Sequence, residues 1–424
     1  MIIRKSVLPA LACASLLMQP AQSAEIIAST PGEVISALGQ ASAGDIIRVA
    51  PGVYEFSDPI HLDSAGLPGE PIQLIGDGRI GDVEFRINGS LGLSIAGQDY
   101  VVEGIWLRCQ GSQCTSARGI SLWGSARRIA IRGCRTTDFL QHIKGWITSG
   151  TLDAPEDITI AGNESYNTVT FNGSSNVLNL DGGARWRVVG NYVHDYGNAG
   201  INYGIFLKGA TTQSVIERNL VAGSYDRAAG SGAVVGISFG GGRMGTQWCA
   251  AGNQGAGGCI CEDYDGIARN NIVINTSDTA LHVNSACGSK FLNNIVYNAA
   301  TMLQIQSFEG EGDIEVRNNV LDGGLPNHNN VVTSDNFTNA NFAALYNNAD
   351  GLDFSAGGDS GTLAASAPLP GVVADYCGAT RSSTPSRGAI EMPAACDVAG
   401  RLPLGGVVEP DPVAPNPPAN LRVD

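Results

Sequence analysis

A lysine, a carboxylate and an imidazole recur at matching places in strand-like segments, and together they could transfer protons. These residues are Lys208, Asp181 and His282. Each lies in a short segment in which two apolar residues alternate with other residues. Because side chains alternate faces along a strand, the apolar residues point inward and the polar ones outward. We therefore expect Asp181 and Lys208 on adjacent rungs, about 4.8 Å apart, with His282 two rungs further on. An exposed Lys–Asp pair is also commonly a solvated ion pair of little energetic value.

The outward positions of successive rungs form two columns, whose other side chains could hold a substrate. The columns are Ser121, Asn179, Phe206, Ser238, His282 and Gln304, and Trp123, Asp181, Lys208, Gly240, Asn284 and Gln306. Trp123 and Phe206 offer flat faces for sugar rings. Asn179 and Asn284 offer amides that could bind a ligand or simply satisfy neighbouring amides.

Two segments beside these columns predict the borders of a cleft. Residues 240–263 form a Gly- and Cys-rich insertion that carries Arg243, and a loop held by disulfides is a plausible cleft wall. A loop arginine also often caps carbonyl groups. His194 lies in a turn that leads to Tyr203, so it either borders the cleft or fixes the turn.

The elements that carry these residues repeat along the chain. Strand-like segments end in an asparagine at positions 163, 191, 219, 271, 294 and 319, at spacings of 28, 28, 52, 23 and 25 residues. We interpret the 52-residue gap as two repeats, since 236–239 supplies a further strand. Periods of this size are typical of stacked coils. The sequence predicts an all-β, right-handed parallel β-helix solenoid, with the asparagines at one corner and a helical cap at 30–40. An antiparallel sandwich is the alternative.

The overall charge limits the partners of the chain. It has 424 residues, 15% of them charged, with a formal charge of -15. A protein that binds nucleic acid needs a basic face, so nucleic acid is not expected as a partner. No segment after the N-terminal one is apolar over the length needed to span a membrane, so we expect no membrane insertion. We also expect a monomer. A local cationic groove would still permit an acidic polysaccharide substrate.

The chain ends predict export and a tail. Residues 1–23 resemble a secretory signal peptide, with Arg4 and Lys5 before an apolar stretch and a cleavage site that ends at Ser23. Secretion or a periplasmic location follows from this reading. We assign 24–405 to the β-helix domain and 406–424 to a Pro-rich linker or tail.

Nine cysteines follow the leader, and export makes disulfides plausible. Spacing favours Cys109–Cys114 and Cys377–Cys396, with some pairing among the four cysteines of 249–287. Because nine is odd, one thiol should be free.

Several motifs resemble secreted parallel β-helix polysaccharide lyases. The run 37–54 looks like the opening of secreted parallel β-helix polysaccharide enzymes, and 66–74 is similar to the next coil of the chondroitinase B and alginate lyase group. Residues 206–219 resemble the coil that carries that group's catalytic lysine, and 375–391 resemble a C-terminal signature of secreted β-helix proteins. The resemblance places this chain beside that group and implies that Lys208 is the base.

The family pattern differs from this sequence in two places. The family's arginine is expected on the coil after the lysine, whereas here Arg243 lies three residues beyond Gly240. The acidic calcium ligands expected just before the lysine are absent from 200–207.

These observations favour a secreted lyase that cleaves a uronate-containing polysaccharide by β-elimination. Lys208 would be the base, Arg243 would neutralise the substrate carboxylate, and His282 would be the acid or an alternative base. Asp181 would hold Ca²⁺, which would stop its carboxylate from favouring the ammonium form of Lys208. The alternatives are a glycoside hydrolase, a uronate epimerase, and a glycan-binding or surface β-helix protein without catalysis. Hydrolysis needs two carboxylates, and the outward columns supply only Asp181.

Overall fold

The computed structural model describes most of the chain between its two ends. It covers residues 23–241, 244–306, 313–328, 331–365, 367–393, 396 and 398–399. The predicted signal peptide (but for Ser23), the Pro-rich tail and Arg243 lie outside the described residues.

The chain winds into successive coils whose parallel strands stack into three faces, which we call sheets 1, 2 and 3. Sheet 1 has twelve strands. They are Glu25–Ala28, Ile46–Val49, Ile72–Gly76, Gln98–Glu103, Arg127–Arg132, Glu156–Ala161, Arg187–Val189, Val215–Glu217, Ile267–Arg269, Lys290–Leu292, Ile314–Arg317 and Val331–Ser334.

Seventeen further strands form one hydrogen-bonded surface that bends into sheets 2 and 3. Sheet 2 holds Gly52–Phe56, Val83–Ile87, Trp106–Cys109, Arg135–Thr137, Glu164–Tyr166, Tyr192–His194, Leu220–Ala222 and Val320–Leu321. Sheet 3 holds Ile60–Leu62, Leu91–Ile95, Arg118–Leu122, Gln141–Gly145, Asn176–Asp181, Asn202–Lys208 and Val234–Phe239. The long strands Ile272–Asn284 and Ile295–Gln306 begin in sheet 2 and end in sheet 3. The predicted parallel β-helix is therefore confirmed.

The remaining elements lie at the corners and ends. A small parallel sheet is formed by Thr211–Thr212, Asp263–Tyr264 and Ala286–Cys287. Two antiparallel pairs are formed by Gln254–Gly255 with Gly258–Cys259 and by Tyr346–Asn348 with Asp353–Ala356. The α-helices are Pro31–Gln40 and Phe342–Leu345, and the 3₁₀ turns are Ser112–Thr115, Thr246–Trp248, Ala349–Gly351 and Ser360–Leu363. None of the described helices has the length and apolar character needed to cross a bilayer.

Apolar residues fill the coil interior, a helix covers its first coils, and the C-terminal segment covers part of the outer face of sheet 2. The helix Pro31–Gln40 packs Val34 and Leu38 onto the first coils, and Thr30 Oγ1 accepts a hydrogen bond from the amide of Glu33. This confirms the predicted N-terminal cap. The C-terminal segment around Phe342 packs on outward apolar side chains of successive sheet 2 strands, among them Leu220 and Ile272.

An asparagine ladder forms the corner between sheets 1 and 2, as the repeat predicts. Each side-chain amide donates to the side-chain oxygen of the next asparagine at 2.9–3.0 Å. The ladder runs through Asn163, Asn191, Asn219, Asn271, Asn294, Asn319 and Asn336. Because these amides are almost all buried, the ladder satisfies groups that would otherwise be costly to desolvate.

The interpretation of the 52-residue gap as two repeats was wrong. Asn219 bonds directly to Asn271, and Val215–Glu217 pairs directly with Ile267–Arg269. The gap is one coil that is enlarged by the insertion after Val234–Phe239. That strand belongs to sheet 3 of the same coil.

The disulfides agree with the spacing arguments. Cys109–Cys114 and Cys377–Cys396 form as predicted, and the other four cysteines pair as Cys249–Cys259 and Cys261–Cys287. The free thiol is Cys134, which is buried.

Candidate functional site on the outer face of sheet 3

The strand register places the predicted polar residues on one face. Asp181 is the direct partner of Lys208, so the two lie on adjacent rungs. Phe206 pairs with Ser238, which pairs with His282. The positions inferred from alternation are therefore the observed ones, while the roles of these residues stay predictions.

Sequence reasoning missed one rung, and it carries a lysine. The strand Gln141–Gly145 lies between the rungs of Ser121 and Asn179, and its Lys144 pairs with both. The strand was overlooked because its second inward position is Gly145 rather than an apolar residue. A Cβ at Gly145 would lie 2.8 Å from the indole of Trp186, which fills that space instead. The 23-residue spacing from 121 to 144, one coil length, was the available signal.

Lys144 and Asp181 form a buried ion pair. Lys144 Nζ contacts Asp181 Oδ2, and the two residues are only 3% and 7% exposed. With its amide oriented to suit its neighbours, Asn179 donates to Asp181 Oδ1 at 2.8 Å and accepts from Lys144 Nζ at 3.3 Å. The amide of Asn179 is thus committed to this cluster, which argues against the predicted direct contact with substrate.

Burial changes the protonation of Lys144. Desolvation lowers the pKa of Lys144 to about 8, against the opposing effect of Asp181. The positive charges of Lys208 and Arg118 act in the same direction as burial. Lys144 is therefore mostly an ammonium at neutral pH, and it supplies the counter-ion of Asp181.

Lys208 differs from Lys144 in being half-buried and uncommitted. Its Nζ lies 5.0 Å from the centre of the Phe206 ring. It makes no hydrogen bond or ion pair with any described residue. The alternative reading, a solvated ion pair between Asp181 and Lys208, does not apply, because the ammonium of Lys144 occupies the carboxylate.

Phe206 does not offer an open face to a sugar, contrary to the prediction. The residue is 3% exposed. The ring of Tyr203 stacks on it with 4.0 Å between centroids, and Gly241 lies so close that a Cβ there would overlap the Phe206 ring. Tyr203 is half-buried, and burial raises the pKa of its phenol, which stays protonated and able to donate a hydrogen bond.

The insertion after Gly240 forms a wall beside Lys208. Two disulfides, Cys249–Cys259 and Cys261–Cys287, hold it. The buried carboxylate of Glu262 accepts hydrogen bonds from the amides of Gly241, at 2.7 Å, and Met244. Met244 also lies against Gly209, so the wall begins directly next to Lys208.

His282 and Asn284 are buried rather than open to solvent. His282 Nδ1 lies 2.9 Å from Ser238 Oγ, and burial lowers the pKa of His282 to about 4. A neutral imidazole at neutral pH disfavours the role of acid. Asn284 Nδ2 donates to Gln306 Oε1 at 3.1 Å.

His194 lies in sheet 2 and not with the residues around Lys208. Its ring stacks between Tyr166 and Tyr192, with centroids at 4.6 and 4.0 Å. Its Nδ1 lies 2.7 Å from Asp195, whose carboxylate accepts from the backbone amides of 225–227. Burial alone would lower the pKa of His194, but its bonds to carboxylates raise it overall. The alternative reading, that His194 fixes a turn, fits this arrangement, so its prediction as a substrate contact is corrected.

Trp123 belongs to an aromatic platform at the N-terminal end of the site. It is 36% exposed and stacks on Trp146 at 5.4 Å. The guanidinium of Arg118 and the ammonium of Lys144 each lie 4.8 Å from the centre of the Trp146 ring. Trp146 was not identified from the sequence because it directly follows the missed rung, and Arg118 was not identified although its strand, which carries Ser121, was placed.

The donors for a metal do not gather where they were predicted. Among the described residues, the group whose ligand atoms lie within 4.8 Å of one another is His194, Asp195 and Asp226, in a different part of the molecule. The carboxylate of Asp181 is neutralised by Lys144 and bonded by Asn179. The residues at Asp181 therefore do not fit a calcium site.

The comparisons with known proteins establish the fold. The sequence matches no family model and no curated protein. A crystal structure of the pectate lyase Pel9A aligns with a TM-score of 0.65 at 13% identity, over 87% of this chain and 97% of that one. An alginate lyase from Paenibacillus sp. str. FPU-7 aligns with a TM-score of 0.43 at 14% identity, over 68% and 99%. The A-module of the Azotobacter vinelandii mannuronan C-5 epimerase AlgE4 gives 0.43 at 12%, over 74% and 90%. The likeness to Pel9A confirms the resemblance at the level of a parallel β-helix fold like that of the polysaccharide lyases.

Proposed function

We propose that the chain is a secreted polysaccharide lyase that cleaves a uronate-containing glycan by β-elimination. One observation carries the proposal. Lys208, a half-buried amine without a partner among the described residues, lies on the outer face of the β-helix beside the buried pair of Lys144 and Asp181.

β-Elimination at a uronate requires three contributions. A cation must neutralise the C6 carboxylate so that the C5 proton becomes acidic. A base must remove that proton, and an acid must protonate the leaving O4. We assign the base to Lys208, because it faces outward and its amine is not bonded to a described carboxylate.

The reaction balances with Lys208 alone carrying the proton. Neutral Lys208 takes the C5 proton, the electron pair forms the C4–C5 double bond, and the C4–O4 bond breaks. The resulting ammonium of Lys208 then returns the proton to O4. His282 is not needed as an acid, which agrees with its low pKa.

The Lys144–Asp181 pair determines the electrostatics of this base. A free carboxylate next to Lys208 would favour its ammonium form. Lys144 neutralises Asp181 and so does what calcium was expected to do there. We retain Arg243, predicted on the wall segment, as the cation that neutralises the carboxylate of the cleaved uronate.

Hydrolysis is less well supported than elimination. The two outward columns from Ser121 to Gln306 hold one carboxylate among the described residues, and Lys144 occupies it. Asp263, an acid of the adjacent 240–263 segment, is fully buried and bonded to Thr211 and Ser289. A two-carboxylate mechanism therefore lacks its second group.

Export completes the proposal. Four disulfides are typical of an oxidising compartment outside the cytoplasm. We therefore propose that residues 1–23 direct secretion and that an acidic polysaccharide is met outside the cell or in the periplasm.

A panel of polyuronates tests the function. Purified protein is incubated with polygalacturonate, polymannuronate and polyguluronate, and the ultraviolet absorbance of a C4–C5 unsaturated product is followed. Growth of that absorbance supports a lyase. Reducing ends without absorbance indicate a hydrolase, altered uronate stereochemistry without cleavage indicates an epimerase, and binding alone indicates a carbohydrate-binding protein.

A further inference from the structure

Among the described residues Arg118 has no ionic partner, although the protein is acidic. It begins the strand Arg118–Leu122 on the outer face of sheet 3 and is half-buried. Its Nε donates to Gln141 Oε1 at 3.3 Å, and it forms no ion pair with a described residue. Acidic residues outnumber Lys and Arg by 40 to 25, yet none of the described carboxylates pairs with Arg118.

Two tryptophans fix the surroundings of this guanidinium. Trp123 and Trp146 stack with an interplanar angle of 13°. Their indole N–H groups donate to the hydroxyls of Ser94, at 2.9 Å, and Ser121, at 3.4 Å. The platform is therefore held in place before any ligand binds, which lowers the entropic cost of binding.

The orientation of Arg118 leaves its other donors available. The position of the guanidinium over the Trp146 ring and the hydrogen bond from Nε hold it in place. The terminal nitrogens can then make paired hydrogen bonds to a carboxylate, a geometry that arginine suits better than lysine. An aromatic face next to a carboxylate-binding fork matches a sugar ring that bears an acidic group.

We propose that Arg118, Trp146 and Trp123 form a subsite for a second acidic sugar of the substrate. Strand pairing puts two or three rungs between this subsite and Lys208, a separation on the order of 10–14 Å. That distance exceeds one sugar ring, so the bound uronate and the cleaved uronate are different residues of the chain. The inference rests on the proposed function and specifies its substrate: a polymer with acidic groups on more than one sugar.

Arg118→Gln tests the subsite, with Arg108→Gln as the matched control. Arg108 also lies over a tryptophan, 5.7 Å from the centre of Trp106, but on sheet 2. On long polyuronates, Arg118→Gln should raise KM about 10- to 100-fold, the loss of a charged hydrogen-bonding group, with kcat little changed. On uronate oligomers too short to reach the subsite, and in the Arg108→Gln control, KM should not change.

Binding measured by calorimetry separates this inference from the proposed function. If the wild type cleaves a long polyuronate and Arg118→Gln leaves KM unchanged, the subsite is wrong and the lyase stands. If the wild type binds the polymer without cleaving it, weaker binding by Arg118→Gln alone supports the subsite while the lyase fails. If the wild type and both variants bind the polymer equally, the subsite is overturned. It is also overturned if the wild type binds the carboxyl-reduced polymer as tightly as the unreduced one. No binding of any polyuronate overturns both.

Discussion

Replacing Lys144 with methionine should destabilise the protein and also change its catalysis. Methionine has a similar length but no charge, so Asp181 would keep its place in the fold without a counter-ion. Removing one partner of a buried ion pair costs about 3–5 kcal/mol. We expect the lower part of that range, because Asn179 still donates to Asp181 at 2.8 Å.

The pH dependence of stability carries a second signature of this lysine. The pKa of Lys144 is lowered from 10.5 to about 8 in the folded protein, chiefly by burial. Between these values the unfolded chain binds more protons than the folded one, so this group makes stability rise with pH. The wild type should therefore gain stability from about pH 8 towards 10.5 relative to Lys144→Met.

Thermal unfolding of three variants measures the effect. Lys144→Met should melt well below the wild type, and Lys144→Met/Asp181→Leu should recover most of the loss, since an apolar pair can replace a buried ion pair. Lys290→Met is the matched control: Lys290 contacts Glu315 at 2.9 Å but its side chain is 41% exposed. An exposed pair contributes about 0–1 kcal/mol. Equal melting of Lys144→Met and Lys290→Met would refute the buried pair.

The same variant separates a structural from an electrostatic role of Lys144. Without Lys144, the unpaired carboxylate of Asp181 would favour the ammonium form of Lys208. The pH–rate profile of Lys144→Met should then be shifted to more alkaline pH than that of the wild type. A lower rate with an unshifted profile would instead indicate loss of packing alone.

Two further predictions concern the metal and the wall. Dialysis against a calcium chelator should leave kcat/KM on a polyuronate unchanged, because the ammonium of Lys144 occupies Asp181; loss of activity that added Ca²⁺ restores would contradict this account. The Cys261→Ser/Cys287→Ser variant should lose about 2–4 kcal/mol of stability and bind substrate more weakly, because the wall beside Lys208 is no longer held. Melting and KM values equal to those of the wild type would show that this disulfide does not position the wall.

The repeating parts of the molecule could be predicted from sequence because each follows from a local rule. The asparagines mark one corner of every coil, and the alternation of apolar residues fixes which side chains point outward. These two patterns place Asp181 beside Lys208 and the asparagines in one ladder.

The parts that could not be predicted are those where a distant residue replaces a local one. Gly145 breaks the apolar pattern because the indole of Trp186, from the next coil, fills the interior there. The rung of Lys144 was therefore missed, and with it the true partner of Asp181. Phe206 is covered by Gly241 of the wall, and His282 contacts Ser238 of the neighbouring coil. The alternation of residues along one strand predicts direction but not such contacts between coils.

The most direct test of the account compares Lys208→Ala with Lys290→Ala on the polyuronate that the wild type cleaves. Lys208 points out of the coil, so its removal should leave the melting temperature unchanged while the formation of unsaturated product falls about 10²- to 10⁴-fold. Lys290→Ala, which changes a lysine on sheet 1, should cleave at the wild-type rate. Product formed by Lys208→Ala at the wild-type rate, with the same melting temperature, would contradict the assignment of Lys208 as the base.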